Sequence, residues 1–128
     1  MNAYVIPLER SGWAGSIAAV QLYDDLKVRA IVEEIDCRDH TGGHRVGTPA
    51  LFGMNFQSVN VAQKSPAGAY RDTRAMPGGA LLDAIEHVDD SIGRILAELH
   101  RRGLASTTLL IIHEAGEPPR RNTEFTAA

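Results

Sequence analysis

Residues 80–112 read ALLDAIEHVDDSIGRILAELHRRGLASTTLLII, in which a helix pattern runs directly into a strand pattern. The first part carries apolar residues at helical spacing with charged residues between them, which predicts a long amphipathic helix. Gly103, after two arginines, is typical of a helix end. Residues 107–112 are uncharged and either β-branched or leucine, the pattern of a strand covered on both faces in a parallel sheet. Together they predict half of a βαβ unit.

The rest of the chain carries weaker patterns. Residues 22–35 repeat apolar positions at helical spacing and predict a second helix with one buried face. Residues 48–55 and 56–61 could each form a short strand, whereas residues 64–79 are rich in glycine and proline and predict a surface loop or lid. These patterns predict an α/β fold, in which the long helix packs on a mostly parallel sheet of which only a part is visible.

Length and composition limit the classes of function. A chain of 128 residues is enough for one domain with one core. Its formal net charge of -3 provides no basic surface, which argues against nucleic acid and anionic membranes as partners. The single cysteine, Cys37, has no second cysteine to pair with and is predicted to be a structural thiol. No stretch resembles a signal peptide or a membrane span, so the chain as it stands is predicted to be cytoplasmic.

Three stretches carry a resemblance to a known family. YDDLKVRAIVEEIDCRDHTG (23–42) and TPALFGMNFQSVNVAQK (48–64) come first, followed by the helix and strand of residues 80–112. In this order they resemble the later part of the alkaline phosphatase superfamily, most closely its type I phosphodiesterase and nucleotide pyrophosphatase branch. The resemblance covers residues 22–112 and divides the chain into a divergent segment 1–21, a partial α/β domain 22–112 and a divergent tail 113–128. It implies a partial three-layer α/β sandwich.

The resemblance also implies a chemistry, namely the hydrolysis of phosphate esters. A pair of divalent metals, commonly zinc, would bind the phosphate, and a serine or threonine nucleophile would form a covalent intermediate. The family's nucleophile lies upstream of the matching region, and nothing in residues 1–21 resembles it. After Ile112 the expected ligand loop is replaced by His113-Glu114-Ala115-Gly116. We therefore assign no catalytic residue and predict an incomplete catalyst, for which a truncated or frame-shifted gene is one hypothesis.

Candidate metal ligands are carboxylates and imidazoles, which are ligands that zinc accepts. Asp36, Asp39 and His40 cluster beside a double glycine, and His113 follows the predicted strand. The alternative interpretation is a polar loop after a helix and an exposed histidine at a turn.

Candidate substrate contacts are amides, which hydrogen-bond phosphates and sugars but bind metals weakly. Asn55, Gln57, Asn60 and Gln63 form such a segment, with a polar strand edge as the alternative. The predicted partner is a small phosphate ester. Two other functions stay open, a non-catalytic remnant and a small α/β domain that forms homo-oligomers through an exposed strand edge. Full-length members of such a family can be exported, so the compartment also stays open.

Overall fold

The structure is a computed structural model that describes Gly12, residues 15–65 and residues 77–113. Three helices, α1 (Ile17–Ile35), α2 (Ser58–Lys64) and α3 (Gly79–Arg101), form the described part, and a single 3-10 turn (Ala105–Thr107) follows α3. Each of the three helices contacts the other two. No helix in these ranges is both long and apolar enough to cross a membrane.

Helix α1 confirms the prediction of a helix with one buried face, although it begins earlier than the pattern indicates. The Ser16 side chain accepts a hydrogen bond from the Ala19 amide at 3.4 Å and so caps the first turn. Val20, Val28 and Ile35 are buried along one side of the helix. Leu22, where the apolar pattern begins, is exposed instead.

Helix α3 confirms both the long helix and its predicted end. Gly103 has a φ of 69°, a left-handed conformation that glycine adopts without steric cost. The Gly103 amide donates to the His100 carbonyl at 3.0 Å, and the Leu104 amide donates to the Leu99 carbonyl at 2.9 Å. This pair of bonds is a Schellman motif, which satisfies two carbonyls that the helix leaves without partners.

The predicted α/β fold is wrong, because the described residues contain no strand and no sheet. They form one isolated bridge, between Arg38 and Arg45. Residues 108–112 have no regular secondary structure and lie outside any sheet, and the four apolar residues from Leu109 to Ile112 are exposed. The described residues therefore form a helical arrangement, and not the predicted partial sandwich with a long helix on a parallel sheet.

The two short strands predicted before α2 are also wrong. Residues 48–57 have no regular structure, and helix α2 begins at Ser58, inside the second of these predicted strands. Ala62 of α2 packs with Leu81 and Ala84 of α3 in a small buried cluster. The core thus forms between helices. Most of the predicted lid, residues 66–76, lies outside the described residues.

A buried carboxylate explains why α2 begins where it does. Asp24 of α1 is fully buried, and its oxygens accept hydrogen bonds from the Gln57 amide at 3.0 and 3.1 Å and the Ser58 amide at 2.9 Å. The Lys27 ammonium pairs with Asp24 at 2.8 Å and also donates to the Asn55 carbonyl. Amides at a helix start have no partner within the helix. The Asp24 carboxylate supplies that partner and so stabilises the start of α2, although it belongs to a different helix.

Candidate functional site

The loop of residues 36–48, which we call the α1 loop, contains most of the predicted metal ligands. Its two sides approach each other, since the Val46 amide donates to the Cys37 carbonyl at 2.8 Å and the Asp39 amide donates to the His44 carbonyl at 2.8 Å. Gly42 lies at the tip with a φ of 76°, and a Cβ there would lie 3.0 Å from the Glu33 carboxyl group. The loop therefore requires glycine at this position.

Asp39 organises the tip of the α1 loop. Its Oδ1 atom accepts hydrogen bonds from the Thr41 hydroxyl at 2.6 Å, the Thr41 amide at 3.1 Å and the Gly43 amide at 2.9 Å. These bonds, above all the one from the Thr41 hydroxyl, lower the pKa of Asp39 to about 2. The side chains of His40 and His44 lie exposed on either side of this turn.

The low pKa of Asp39 predicts how the loop responds to acid. Because the folded pKa lies below the ordinary value of about 3.9, ionised Asp39 stabilises the loop above about pH 4, and this contribution is lost as the pH falls through about 2. We expect the Thr41 and Gly43 amides to keep their NMR chemical shifts down to about pH 3. In Asp39→Ala the two amides should shift at neutral pH. The prediction is contradicted if the Asp39 carboxyl group titrates near pH 4 in the folded protein.

Asp36 is held by arginines from two parts of the chain. Its Oδ1 atom lies 2.6 Å from Arg101 and 3.6 Å from Arg102 at the end of α3, while Oδ2 lies 3.3 Å from Arg38. The hydrogen bond from Arg101 is the main cause of a lowered pKa of Asp36. Each carboxylate oxygen already has a guanidinium partner, so a metal ion would have to displace an arginine.

The structure does not bring the four predicted metal ligands together. His113 lies exposed in the segment that follows α3, whereas Asp36, Asp39 and His40 belong to the α1 loop. Among the residues that the structure describes, no three His, Cys, Asp or Glu side chains form a group that could hold a metal ion. The described residues alone do not fit a two-metal centre, and divalent metal binding stays a prediction.

The predicted substrate amides lie on and before α2. Asn60 and Gln63 are three residues apart on this helix, which places them on neighbouring positions of its surface. Asn55 and Asn60 have exposed side chains. The backbone groups of Asn55 and Gln57 are bound by Lys27 and Asp24, so the segment is fixed against α1. This arrangement allows the amides to contact a ligand but does not test whether they do.

Cys37 lies in a polar environment that the sequence did not reveal. The Cys37 sulfur lies 3.1 Å from the Thr48 hydroxyl and accepts a hydrogen bond from Arg102 at 2.9 Å. Thr48 is the largest cause of a lowered pKa of Cys37, and the charge of Arg102 adds to it. Thr48 lies 11 residues and Arg102 lies 65 residues from Cys37 in the sequence, so a local sequence pattern could not identify these two contacts.

The lowered pKa predicts that Cys37 reacts with iodoacetamide at a lower pH than an ordinary thiol, because the thiolate is the nucleophile. Thr48→Val removes the largest cause and should move the pH profile of alkylation upward. The same chain unfolded in urea supplies the reference profile, and Thr107→Val, outside the loop, serves as the control variant. A folded protein with the unfolded profile, or a Thr48→Val profile that does not move, would contradict the assignment. The rates can be measured by mass spectrometry.

Comparison with known proteins does not add to this geometry. No protein-family model, no curated protein and no solved structure gave a significant match to the chain.

Proposed function

We propose that this chain carries part of a metal-dependent phosphodiesterase- or phosphatase-like hydrolase that acts on phosphate esters, and that it is incomplete as a catalyst. The chain corresponds to a wall of the active site, with the α1 loop and the amides of α2 as contacts for the substrate. The proposal depends on the resemblance of residues 23–42, 48–64 and 80–112, and needs no catalytic step by a residue of this chain.

One observation carries the proposal, namely that the α1 loop is fixed while its imidazoles remain exposed. Asp36 and Cys37 connect the base of the loop to Arg101 and Arg102 of α3, and Asp39 fixes its tip. A rigid loop can present His40 and His44 to a ligand without a large loss of conformational entropy. Imidazole N–H groups and the exposed guanidinium of Arg45 are donors that suit phosphate oxygens.

The proposed incompleteness follows from how the loop carboxylates are engaged. Zinc binds strongly where several deprotonated ligands converge, and Asp36 and Asp39 are already committed to arginines and to backbone amides. In the family that the chain resembles, the nucleophile lies upstream of the matching region. The resemblance therefore assigns no nucleophile to the described residues. Catalytic residues that act as a unit lose their effect together. A chain with only some of the metal ligands is therefore not expected to hydrolyse phosphate esters at a substantial rate.

The test is an NMR titration of the ¹⁵N-labelled chain with bis(4-nitrophenyl) phosphate, with and without Zn²⁺. We expect shifts confined to the α1 loop and α2, with a dissociation constant of about 1 mM, and turnover at the background rate. His40→Ala/His44→Ala should abolish the loop shifts. His100→Ala, an exposed histidine of α3, should leave them unchanged.

Two results would contradict the proposal in different ways. If several millimolar diester and Zn²⁺ change no chemical shift in the α1 loop, the proposed relation to phosphate-ester hydrolases is wrong. If the chain binds Zn²⁺ tightly and hydrolyses the diester in a reaction that a chelator stops, the incompleteness is wrong and the chain is a catalyst.

A further inference from the structure

Two successive carboxylates of α1 contact different helices. Asp24 holds the start of α2, and Asp25, about 100° further around α1, lies beside α3 instead. The Asp25 Oδ1 atom lies 3.4 Å from Nη1 of Arg94 and 3.6 Å from Nε2 of His87. His87 and Arg94 are about two turns apart on the same side of α3. One carboxylate oxygen therefore faces a side chain that is always charged and another whose charge depends on pH.

The contact between His87 and Asp25 is incomplete while the imidazole is neutral. The Nε2 atom of His87 is buried and has no hydrogen-bond partner, and its separation of 3.6 Å from Asp25 is longer than a hydrogen bond. A buried polar atom without a partner destabilises the folded state. A protonated imidazole donates from both ring nitrogens, so Nε2 then has a charged acceptor beside it. The Asp25 side chain is 41% exposed, which leaves it room to approach.

We propose that protonation of His87 creates an ion pair with Asp25 and so stabilises the packing of α3 on α1 in mild acid. In the unfolded chain α1 and α3 are not held together, so Asp25 does not attract this proton. The folded state therefore binds the proton more strongly, and this part of the stability falls as the pH rises. It is fully present below about pH 6.5, the ordinary value for histidine, and is lost as the pH rises beyond it. This inference does not depend on the proposed hydrolase function.

The charges of α3 around His87 favour the protonated imidazole. Within about one turn on either side, α3 carries no cation and four exposed carboxylates, namely Asp83, Glu86, Asp89 and Asp90. Arg94 opposes the charge, but its guanidinium is 54% exposed and pairs with Asp25. Burial also opposes the charge, but the His87 side chain remains 22% exposed, which limits this cost. Attraction falls with distance, so the Asp25 oxygen has the largest effect.

The helices that pack against α3 add little further charge. On α1, Asp24 and Lys27 pair with each other at 2.8 Å, and Arg29 is exposed one turn after Asp25. Lys64 is the only charged residue of α2 and is exposed in its last turn. The carboxylates therefore decide the electrostatic balance at His87, and Asp25 is the closest of them.

A double-mutant cycle at two pH values tests the proposal on the full chain. The wild type, His87→Ala, Asp25→Ala and the double variant are unfolded in urea at about pH 5.5 and about pH 8, on either side of the ordinary histidine value. At the lower pH we expect the two substitutions to depart from additivity by about 0.3 M in the urea midpoint. At the higher pH the departure should fall below about 0.1 M. About 1 M NaCl should reduce the coupling in acid, because salt screens the pair.

Arg94 supplies the matched control cycle. Its guanidinium is charged at both pH values, so the coupling of Arg94→Ala with Asp25→Ala should be the same at both. His87→Gln, which keeps a polar side chain but does not titrate, is the second variant. Its midpoint should fall further below that of the wild type at about pH 5.5 than at about pH 8, a comparison in which the other histidines cancel. The proposal is overturned if His87 and Asp25 are not coupled at the lower pH, or if they are coupled equally at both.

Discussion

Asp24→Ala is expected to lower the free energy of unfolding by about 3 kcal/mol or more. The fully buried Asp24 carboxylate accepts the first amides of α2, from Gln57 and Ser58, and pairs with Lys27 at 2.8 Å. Removal of the carboxylate leaves the two amides without this acceptor and the partly buried Lys27 ammonium without its counter-charge. Urea unfolding followed by circular dichroism measures the change, and part of the helix signal of α2 should be lost even before the main transition.

Asp25→Ala is the matched control for this prediction. Asp25 is the next residue of α1, but its side chain is 41% exposed and pairs with the exposed Arg94 guanidinium at 3.4 Å, a surface ion pair, while the His87 Nε2 atom lies 3.6 Å from the same carboxylate oxygen. Such pairs contribute about 0–1 kcal/mol, so the unfolding midpoint should change little. If Asp24→Ala and Asp25→Ala unfold at the same urea concentration, Asp24 does not anchor α2. If Asp24→Ala does not fold at all while Asp25→Ala does, the anchor is stronger than expected.

The sequence predicted the elements whose signals are local. Helix periodicity predicted α1 and α3, and the glycine after two arginines predicted the helix end at Gly103, where the structure has a Schellman motif with a left-handed residue. The turn around Asp39 is also local, since its acceptor and donors lie within four residues. A polar loop was the alternative to a metal site at these residues, and in the structure Asp39 accepts hydrogen bonds from Thr41 and Gly43 of the loop itself.

The features that sequence reasoning missed depend on residues far apart. An apolar run such as residues 108–112 fits an exposed irregular segment as well as a buried strand, since burial depends on partner strands elsewhere in the fold. Residues 56–61 alternate as a strand would, but a carboxylate 33 residues earlier caps a helix in their place. The contact of Cys37 with Arg102 spans 65 residues. Tertiary contacts of this kind override local propensity.

Leu81 and Leu82 show the limit of the periodic pattern within a single helix, because both are apolar positions near the start of α3. In the structure Leu81 is 1% exposed and Leu82 is 44% exposed. Leu81 packs with Ala62 of α2 and Ala84 of α3, and Ile17 and Val59 border this cluster. The cluster that contains Leu81 therefore joins α3 to α2 through Ala62, and Ile17 of α1 packs against the same cluster.

Leu81→Ala is therefore expected to lower the free energy of unfolding by about 2–4 kcal/mol, because it removes buried methyl groups and leaves a cavity that alanine neighbours cannot fill. Leu82→Ala, the same substitution one residue later, should cost less than about 1 kcal/mol because the side chain is already partly in water. Urea unfolding of the two variants measures the difference. Equal losses would mean that the two leucines are equally buried, and the packing of α3 on the other helices would then be wrong. A larger loss in Leu82→Ala would place the buried stripe one position further along α3, as a rotation of the helix about its axis by about 100° requires.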